Sequence, residues 1–507
     1  MPEFADALKR LLRAPRPSSL LVHAALFRLC AHDIQRLLNL LRTDPWYELC
    51  VAKKATVLRL AHGLPGEWAV ELRKFLLGEL RTKDAEHLRA LAAGTLQALD
   101  YLHEHLGSAV DYEEVRLPTE PATFGGCRMT FVRVPPNPIE KLIQESGTRA
   151  LDRNLEHFKN DLVQTLGLRW MALDLDRHPI RTRFQKLEAV LARILIDRLE
   201  AHRDLCVALA SPIQGFDYTI NSRPSEARPR EGVPYRFARL ASEPAVAKAT
   251  LDKILDACPR HGVDVLCFPE LTLPPDLLEH LSDRLKYANV DSYPALVIAG
   301  TFHHELEDSR GWVNRCHVLD PYGRTILQQD KLVAFKVPAS QACEMRPELL
   351  AKLGIDERGG YEDIDVGDVV TFLDSALGRM LVTICLDYCG DQLTELVLDS
   401  RPNLFWVPAM TPAMGAFHER ARFLGSRLRA SSFVVNSRWL LEQLGLQDGQ
   451  VEAALVACYL PCRRGLRDRL GTVGDADGLR LFRMSVILGK PASPSSARGS
   501  GPHGDSP

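Results

Sequence analysis

The hydrophobic pattern of this chain changes period partway along, and that change limits the folds open to it. In the first two hundred residues apolar positions fall three or four apart. Leucines stand at 88, 91, 96, 99, 102 and 106, and a similar stripe runs through Phe184, Leu187, Leu191, Ile194, Leu195 and Leu199. Such spacing lines one face of a helix and requires a neighbour to bury it. Beyond Pro234 the pattern gives way to short runs that are apolar at nearly every position: 263–268, 295–301, 316–319, 325–327, 380–384, 404–407 and 433–435. Runs of that length without polar alternation read as strands buried on both faces. Helical stretches at 245–257 and 418–430 fall between them, and the alternation predicts a layered α/β domain.

At roughly 150 residues per domain, 507 residues make two to four domains. The pattern divides them into a helical region at 1–202, an α/β domain at 203–490 and a tail at 491–507. The tail is Pro, Ser and Gly with almost no apolar content and is expected to be disordered. Residues 212–234, with Pro224, Pro229 and Pro234, read as a surface loop or linker. The stretch 118–138, with Gly125-Gly126 and Pro135-Pro136, reads as a short hairpin or hinge. Lys+Arg 63 against Asp+Glu 65 leaves a net charge of −2, so nucleic acid is not indicated as a partner. Twelve irregularly spaced cysteines do not make a disulfide framework; they read as buried thiols of a reducing compartment. No run approaches the ~18 apolar residues of a membrane helix. Glu3 and Asp6 stand where a secretory leader wants basic residues. A cytoplasmic protein with no membrane partner is expected.

Three reactive side chains end or follow buried strands: Glu270 closes VDVLCFPE, Lys331 follows the strand-turn pattern around 314–329, and Cys385 closes GRMLVTIC. A thiol needs a base to become a thiolate, and attack by that thiolate needs a positive donor for the oxyanion it creates. Glu, Lys and Cys supply these functions together. Singly they are ordinary: a buried small hydrophobe, a helix-start acid, a solvated surface charge. Other signals are weaker. Cys385/Cys389 and Cys458/Cys462 form two C-x3-C pairs that read as coincidence rather than a zinc site. His303-His304 read as loop histidines, with a place at a pocket mouth as the alternative. His418 and Glu419 read as a helix-start pair. Neither G-x-x-x-x-G-K-[ST] nor G-x-G-x-x-G is present, so no phosphate cradle is offered.

Three segments carry a resemblance to a known family. Asp264 to Glu270 reads DVLCFPE, Gly378 to Asp387 reads GRMLVTICLD, and Lys331 lies between them. In that order, with PNLFWVP at 402–408 and RLRASSFVVN at 427–436, the chain over about 203–490 resembles the nitrilase, or carbon–nitrogen hydrolase, superfamily. The resemblance implies a four-layer α-β-β-α sandwich, here preceded by an all-α helical region. It implies an amidase-like, thiol-dependent hydrolase of a non-peptide C–N bond in a small amide-like, nitrile or carbamoyl substrate, with no cofactor or metal. Glu270 is then the base, Cys385 the nucleophile and Lys331 the oxyanion donor. Many members add a second Glu, for which Glu362 is the first choice and Glu344 and Glu357 are alternatives. Homo-oligomeric assembly is also implied. The chain departs from the family pattern after Lys331 (Leu-Val-Ala), after Cys385 (Tyr388-Cys389-Gly390-Asp391) and by an inserted stretch at 339–360. A second reading stays open: a binding or signalling module with little or no turnover, an arrangement resembling some bacterial defence proteins. The helical region is expected to pack on the α/β domain or on a second copy, near enough to gate the pocket.

Overall fold

The computed structural model describes residues 2–13, 19–32, 34–41, 44–63, 68–82, 84–105, 112–116, 128–134, 166, 168–202, 204–212, 218–220, 232–240, 243–288, 294–306, 311–345, 347–411, 414–437, 456–459, 472–476 and 479–485. The tail 491–507, most of 118–138, Leu106, Pro224, Pro229 and Cys462 lie outside these residues.

The first region is built from six helices, Pro2–Leu12, Ser19–His32, Ile34–Leu41, Asp44–Gly63, Trp68–Glu79 and Ala85–His105, among the described residues. The leucine stripe does what its spacing requires. Leu88, Leu91, Leu96, Leu99 and Leu102 are all buried, facing a core shared with Leu26, Val57, Leu72 and Leu76. Gly94 permits the closest approach: a Cβ there would lie 2.4 Å from the Cys50 carbonyl oxygen of the facing helix. To these helices the chain adds a three-stranded antiparallel sheet, β1 (Tyr112–Arg116), β2 (Arg128–Arg133) and β3 (Trp170–Asp174). The buried Asp100 of the last helix ties β3 down by accepting the Arg169 and Trp170 N–H groups, each at 2.8 Å.

Two larger sheets make the second part. The remaining strands are β4 (Arg181–Lys186), β5 (Asp204–Leu209), β6 (Tyr218–Ile220), β7 (Val233–Tyr235), β8 (Phe237–Leu240), β9 (Val265–Cys267), β10 (Leu296–Glu305), β11 (Trp312–Leu319), β12 (Thr325–Asp330), β13 (Lys336–Pro338), β14 (Gly359–Glu362), β15 (Val369–Ser375), β16 (Gly378–Val382), β17 (Leu404–Pro408), β18 (Ser431–Val435), β19 (Val456–Tyr459), β20 (Thr472–Ala476) and β21 (Leu479–Ser485). One sheet runs β12-β11-β10-β9-β5-β21-β20 and the other β19-β18-β17-β16-β15-β4. Strand β9 shows why its sequence has no polar alternation. Val265 and Cys267 face the core between the sheets, while Leu266 and Phe268 face Leu251, Leu255, Leu277 and Leu281 of the outer helices Pro244–His261 and Pro275–Lys286. Helices Thr394–Ser400 and Met414–Leu428 cover the second sheet through Leu396, Phe417, Ala421 and Leu424. The architecture is the expected α-β-β-α sandwich. No helix among the described residues is long and apolar enough to cross a membrane.

Three segments differ from the sequence reading. Phe184 does not head a helical stripe; it lies in β4, which pairs in parallel with β15 and places Phe184 5.2 Å from Phe372, ring to ring. The RTRFQK segment keeps exposed Arg181, Arg183 and Lys186 on the sheet's outer edge, where charge discourages further pairing, and the helix begins only at Ala189. The sandwich therefore recruits chain from before residue 203. Pro234, read as linker, sits in β7, which pairs with β14. The inserted stretch holds helices Ala339–Ala342 and Pro347–Leu353 and leads into β14.

The helical region packs on the sandwich through Arg379, which is fully buried in β16. Its guanidinium donates to both Asp374 oxygens (2.7 and 2.9 Å), to Ser400 O (2.5 Å) and to Arg133 O at the end of β2 (2.8 Å), and lies over Phe184. This contact falls at the start of β16, the end remote from Cys385. A fragment starting at 203 discards β4 and bares the edge of β15, so it should aggregate. One starting at 176 should stay soluble, and comparing the two by size-exclusion chromatography checks this.

Candidate functional site

Glu270, Lys331, Glu362 and Cys385 come from four separate elements and meet in one buried place, with residual exposures of 3%, 2%, 1% and 3%. Glu270 follows β9 in a turn fixed from several sides. Leu271 N–H donates to Thr301 Oγ1 (3.0 Å), Thr272 Oγ1 donates to Pro269 O (2.7 Å), and Leu271 takes a left-handed φ of 56°. Gly300, at φ 61° beside the irregularity in β10, lets this turn close; a Cβ there would stand 2.3 Å from Pro269 O.

Lys331 directly follows β12. Its N–H donates to Asn314 O and its carbonyl accepts from Gly367 N–H, both at 2.8 Å. Its ammonium lies between two carboxylates, 2.8 Å from Glu270 Oε1 and 2.7 Å from Glu362 Oε2. Burial alone would depress its pKa, but the charges of Glu270 and Glu362 outweigh that and hold it well above the usual lysine range. An ammonium at this depth without partners would be prohibitively costly.

Glu362 ends β14 and accepts four hydrogen bonds. They come from Lys331, Phe335 N–H (3.0 Å), Asn314 Nδ2 (2.9 Å) and His303 Nε2 (2.9 Å). The His303 tautomer follows from its other nitrogen: Nδ1 accepts from Phe237 N–H at 2.8 Å, so the ring proton sits on Nε2. Burial works against the Glu362 charge, yet Lys331 and His303 hold its carboxyl well below the ordinary carboxylate range. Asn314 also donates to Glu270 Oε1 (3.1 Å) and so bridges the two acids.

Cys385 opens a short 3-10 turn, Cys385–Tyr388, just past β16. Its φ of 50° is a left-handed conformation that costs a non-glycine residue about 1–2 kcal/mol. The thiol lies close enough to Glu270, Lys331 and the Met410 backbone to feel each of them. Burial, then the Glu270 charge, push it well above the usual thiol range, and Lys331 opposes them. The proton therefore rests on sulfur.

The structure thus brings together the three strand-end residues and the first choice of second acid. Glu344 and Glu357 are exposed, away from the cluster. His303 overturns its loop reading: it lies within β10 with no exposure. Glu419 is exposed and His418 half-buried in the helix Met414–Leu428. Asn314 was not singled out from sequence, although a lone amide among the inward positions of β11, beside Cys316 and Val318, was a signal. Among the described residues no group of three or more His, Cys, Asp or Glu is placed to hold a metal ion. A polar cleft of about 410 Å³ opens elsewhere, between β12, β15 and β4; Arg183, Gln185, Arg315 and Asp330 line it, and none of the four site residues does.

Comparison with known proteins gives structural similarity only. No family model matches the chain, and no curated protein matches its sequence. Among solved structures it is similar to a Saccharomyces cerevisiae member of branch 10 of the nitrilase superfamily, at 11% identity and a TM-score of 0.34, over 56% of this chain and 90% of that one. An amidase from Nesterenkonia sp. is similar at 15% identity and a TM-score of 0.32, over 55% and 90%. A glutamine-dependent NAD+ synthetase from Acinetobacter baumannii is similar at 14% and 0.29, over 46% and 38%. At these values the chemistry rests on the site's own geometry.

The acid–base state of the site has a consequence for stability. Because Glu362 titrates lower folded than unfolded, its contribution is present above the free carboxylate value of about 4.3 and is lost as pH falls below it. Glu362→Gln should cost about 3 kcal/mol at pH 7, the scale for breaking a buried ion pair. It should also flatten the acid limb of stability against pH, measured by urea unfolding.

Proposed function

We propose that this protein is a thiol-dependent hydrolase of a C–N bond other than a peptide bond, acting on a small amide-like molecule. The observation that carries the reading is the buried Lys331 ammonium shared by Glu270 and Glu362, with the buried Cys385 thiol close enough to feel the charges of Glu270 and Lys331. In the reaction Glu270 takes the thiol proton and the sulfur of Cys385 attacks the carbonyl carbon. Two of the three Lys331 N–H donors are held by carboxylates, and the third is left for the oxyanion, with a backbone N–H after Cys385 as second donor. Glu270 returns its proton to the leaving amine, leaving a thioester. Water then gives a proton to Glu270, attacks the thioester and releases the acid, and the thiol is restored.

The two acids differ in role. A carboxylate offers about four acceptor positions, and Glu362 has four donors. It has nothing left for a proton or a water, so it fixes Lys331, while Glu270, facing the thiol, is the group that exchanges protons. The same reading makes the protein a cytoplasmic homo-oligomer without cofactor, its helical region preceding a sandwich that begins near β4. A second reading, a binding or signalling module with little turnover, draws on the burial of Cys385 at 3% exposure.

An amide library scored by ammonia or amine release should give turnover that Cys385→Ala abolishes and Glu270→Gln lowers by about 10²–10⁴, the range for losing a positioned acid–base group. Covalent labelling by a small haloacetamide should be selective for Cys385. Indiscriminate labelling of the cysteines, with no turnover, would favour the binding module.

A further inference from the structure

The proposed chemistry requires that Lys331, carried by one sheet, keep its distance from Cys385, carried by the other. We infer that Asp387 is the positioning residue that fixes this distance, by clamping the chain just after Lys331 to the 3-10 turn that begins with Cys385. The inference rests on the hydrolase reading for its consequence but on its own geometry for its existence.

Asp387 lies two residues beyond Cys385 and has no solvent exposure. Its own N–H donates to Ile384 O at 3.0 Å, which closes the turn. Its Oδ2 accepts from Leu332 N–H and its Oδ1 from Val333 N–H, each at 3.0 Å. These are the two amides that follow Lys331, at a point where β12 has ended and no strand partner takes them. Both carboxylate oxygens are thus spent on one neighbouring segment, a two-point attachment that fixes orientation as well as distance. Lys331 itself is pinned through its own N–H and carbonyl to β11 and Gly367, so holding the next two residues leaves its backbone little freedom.

The carboxylate stands there at a cost. Burial pushes Asp387 up to about 7, with the Leu332 N–H, the Lys331 charge and the Val333 N–H opposing and Glu270 adding to the rise. An apolar residue would fill the space without that penalty, but it would leave two buried amides unpaired and the turn unattached to the lysine segment.

The left-handed φ of Cys385 adds to the case. A strained residue persists only where its surroundings over-determine it. Upstream, β16 anchors the chain that leads into Cys385; downstream, the Asp387 clamp is among the contacts that hold the turn.

The test uses the full chain and the isosteric Asp387→Asn, which keeps the shape but offers one acceptor oxygen instead of two. Amide hydrogen exchange should show Leu332 and Val333 protected in the unsubstituted protein. In the Asn form their exchange should quicken at least about tenfold while amides of β16 and β17 keep their protection. The rate of Cys385 alkylation by iodoacetamide should change by about tenfold or more in the same variant, with the exposed Cys343, outside the turn, as an unchanged internal control. A displacement near 1 Å has effects on that scale. Unprotected Leu332 and Val333 in the unsubstituted protein would overturn the clamp without any variant being needed. Unchanged exchange or an unmoved Cys385 rate in the Asn form would overturn it as well. If Cys385 fails to react in every form, the hydrolase reading falls, and the exchange data still decide the clamp.

Discussion

A single ammonium sets the terms for the centre of this sandwich. Lys331 is buried beyond the reach of bulk water, so its charge survives only because two carboxylates stand within 2.8 Å. Those carboxylates are buried in turn and need donors of their own. Asn314 serves both, and His303 and the Phe335 amide serve one, while the thiol of Cys385 stands within the field of the other. Each partner belongs to a different strand or turn, so the electrostatic requirement of one side chain constrains β9, β10, β11, β12, β14 and β16 at once. A network of this kind is stable when complete and costly when any member is missing.

The apolar frame places that network where the strands end. Strands β9 and β16 run through the core and release Glu270 and Cys385 at their C-terminal ends, and β12 releases Lys331 in the same way. The sheet interiors are rigid, and the turns beyond them carry the irregular geometry: Leu271 and Cys385 both sit at positive φ. At the site this strain lies in the turns past the strands, where hydrogen bonds of Thr301, Thr272 and Asp387 hold them.

Much of this was legible in the sequence, and the unread part has physical reasons. Runs such as VDVLCF could be read because burial on both faces removes polar alternation, and Leu88 to Leu102 because a helix must hide one face. That Glu270 and Cys385 would meet was legible because each closes such a run, and Lys331 joined them because it follows a strand-turn pattern. Strand β4 escaped because Arg181-Thr182-Arg183-Phe184-Gln185-Lys186 has one large apolar residue and lies at an edge, where the partner strand rather than the local pattern decides its state. His303 escaped because local sequence does not show that Phe237 and Glu362, far apart in the chain, bracket its ring. Asp387 was visible as part of a motif, but its two acceptor bonds reach fifty residues back and leave no local trace.

The order of strands bears on how the protein is made. In the first sheet β21, Leu479–Ser485, lies antiparallel against β5, Asp204–Leu209. Until the ribosome has released residue 485, β5 has a bare flank in the middle of an unfinished sheet. β4 must likewise wait for β15. The two halves of the core are therefore closed by segments separated by long stretches of chain, a topology that delays closure and exposes apolar edges during synthesis. The helical region, by contrast, builds its core from residues before 176 and so has its parts far earlier. It stands ready before β16 is made, the interior strand whose Arg379 later docks on its Arg133 carbonyl.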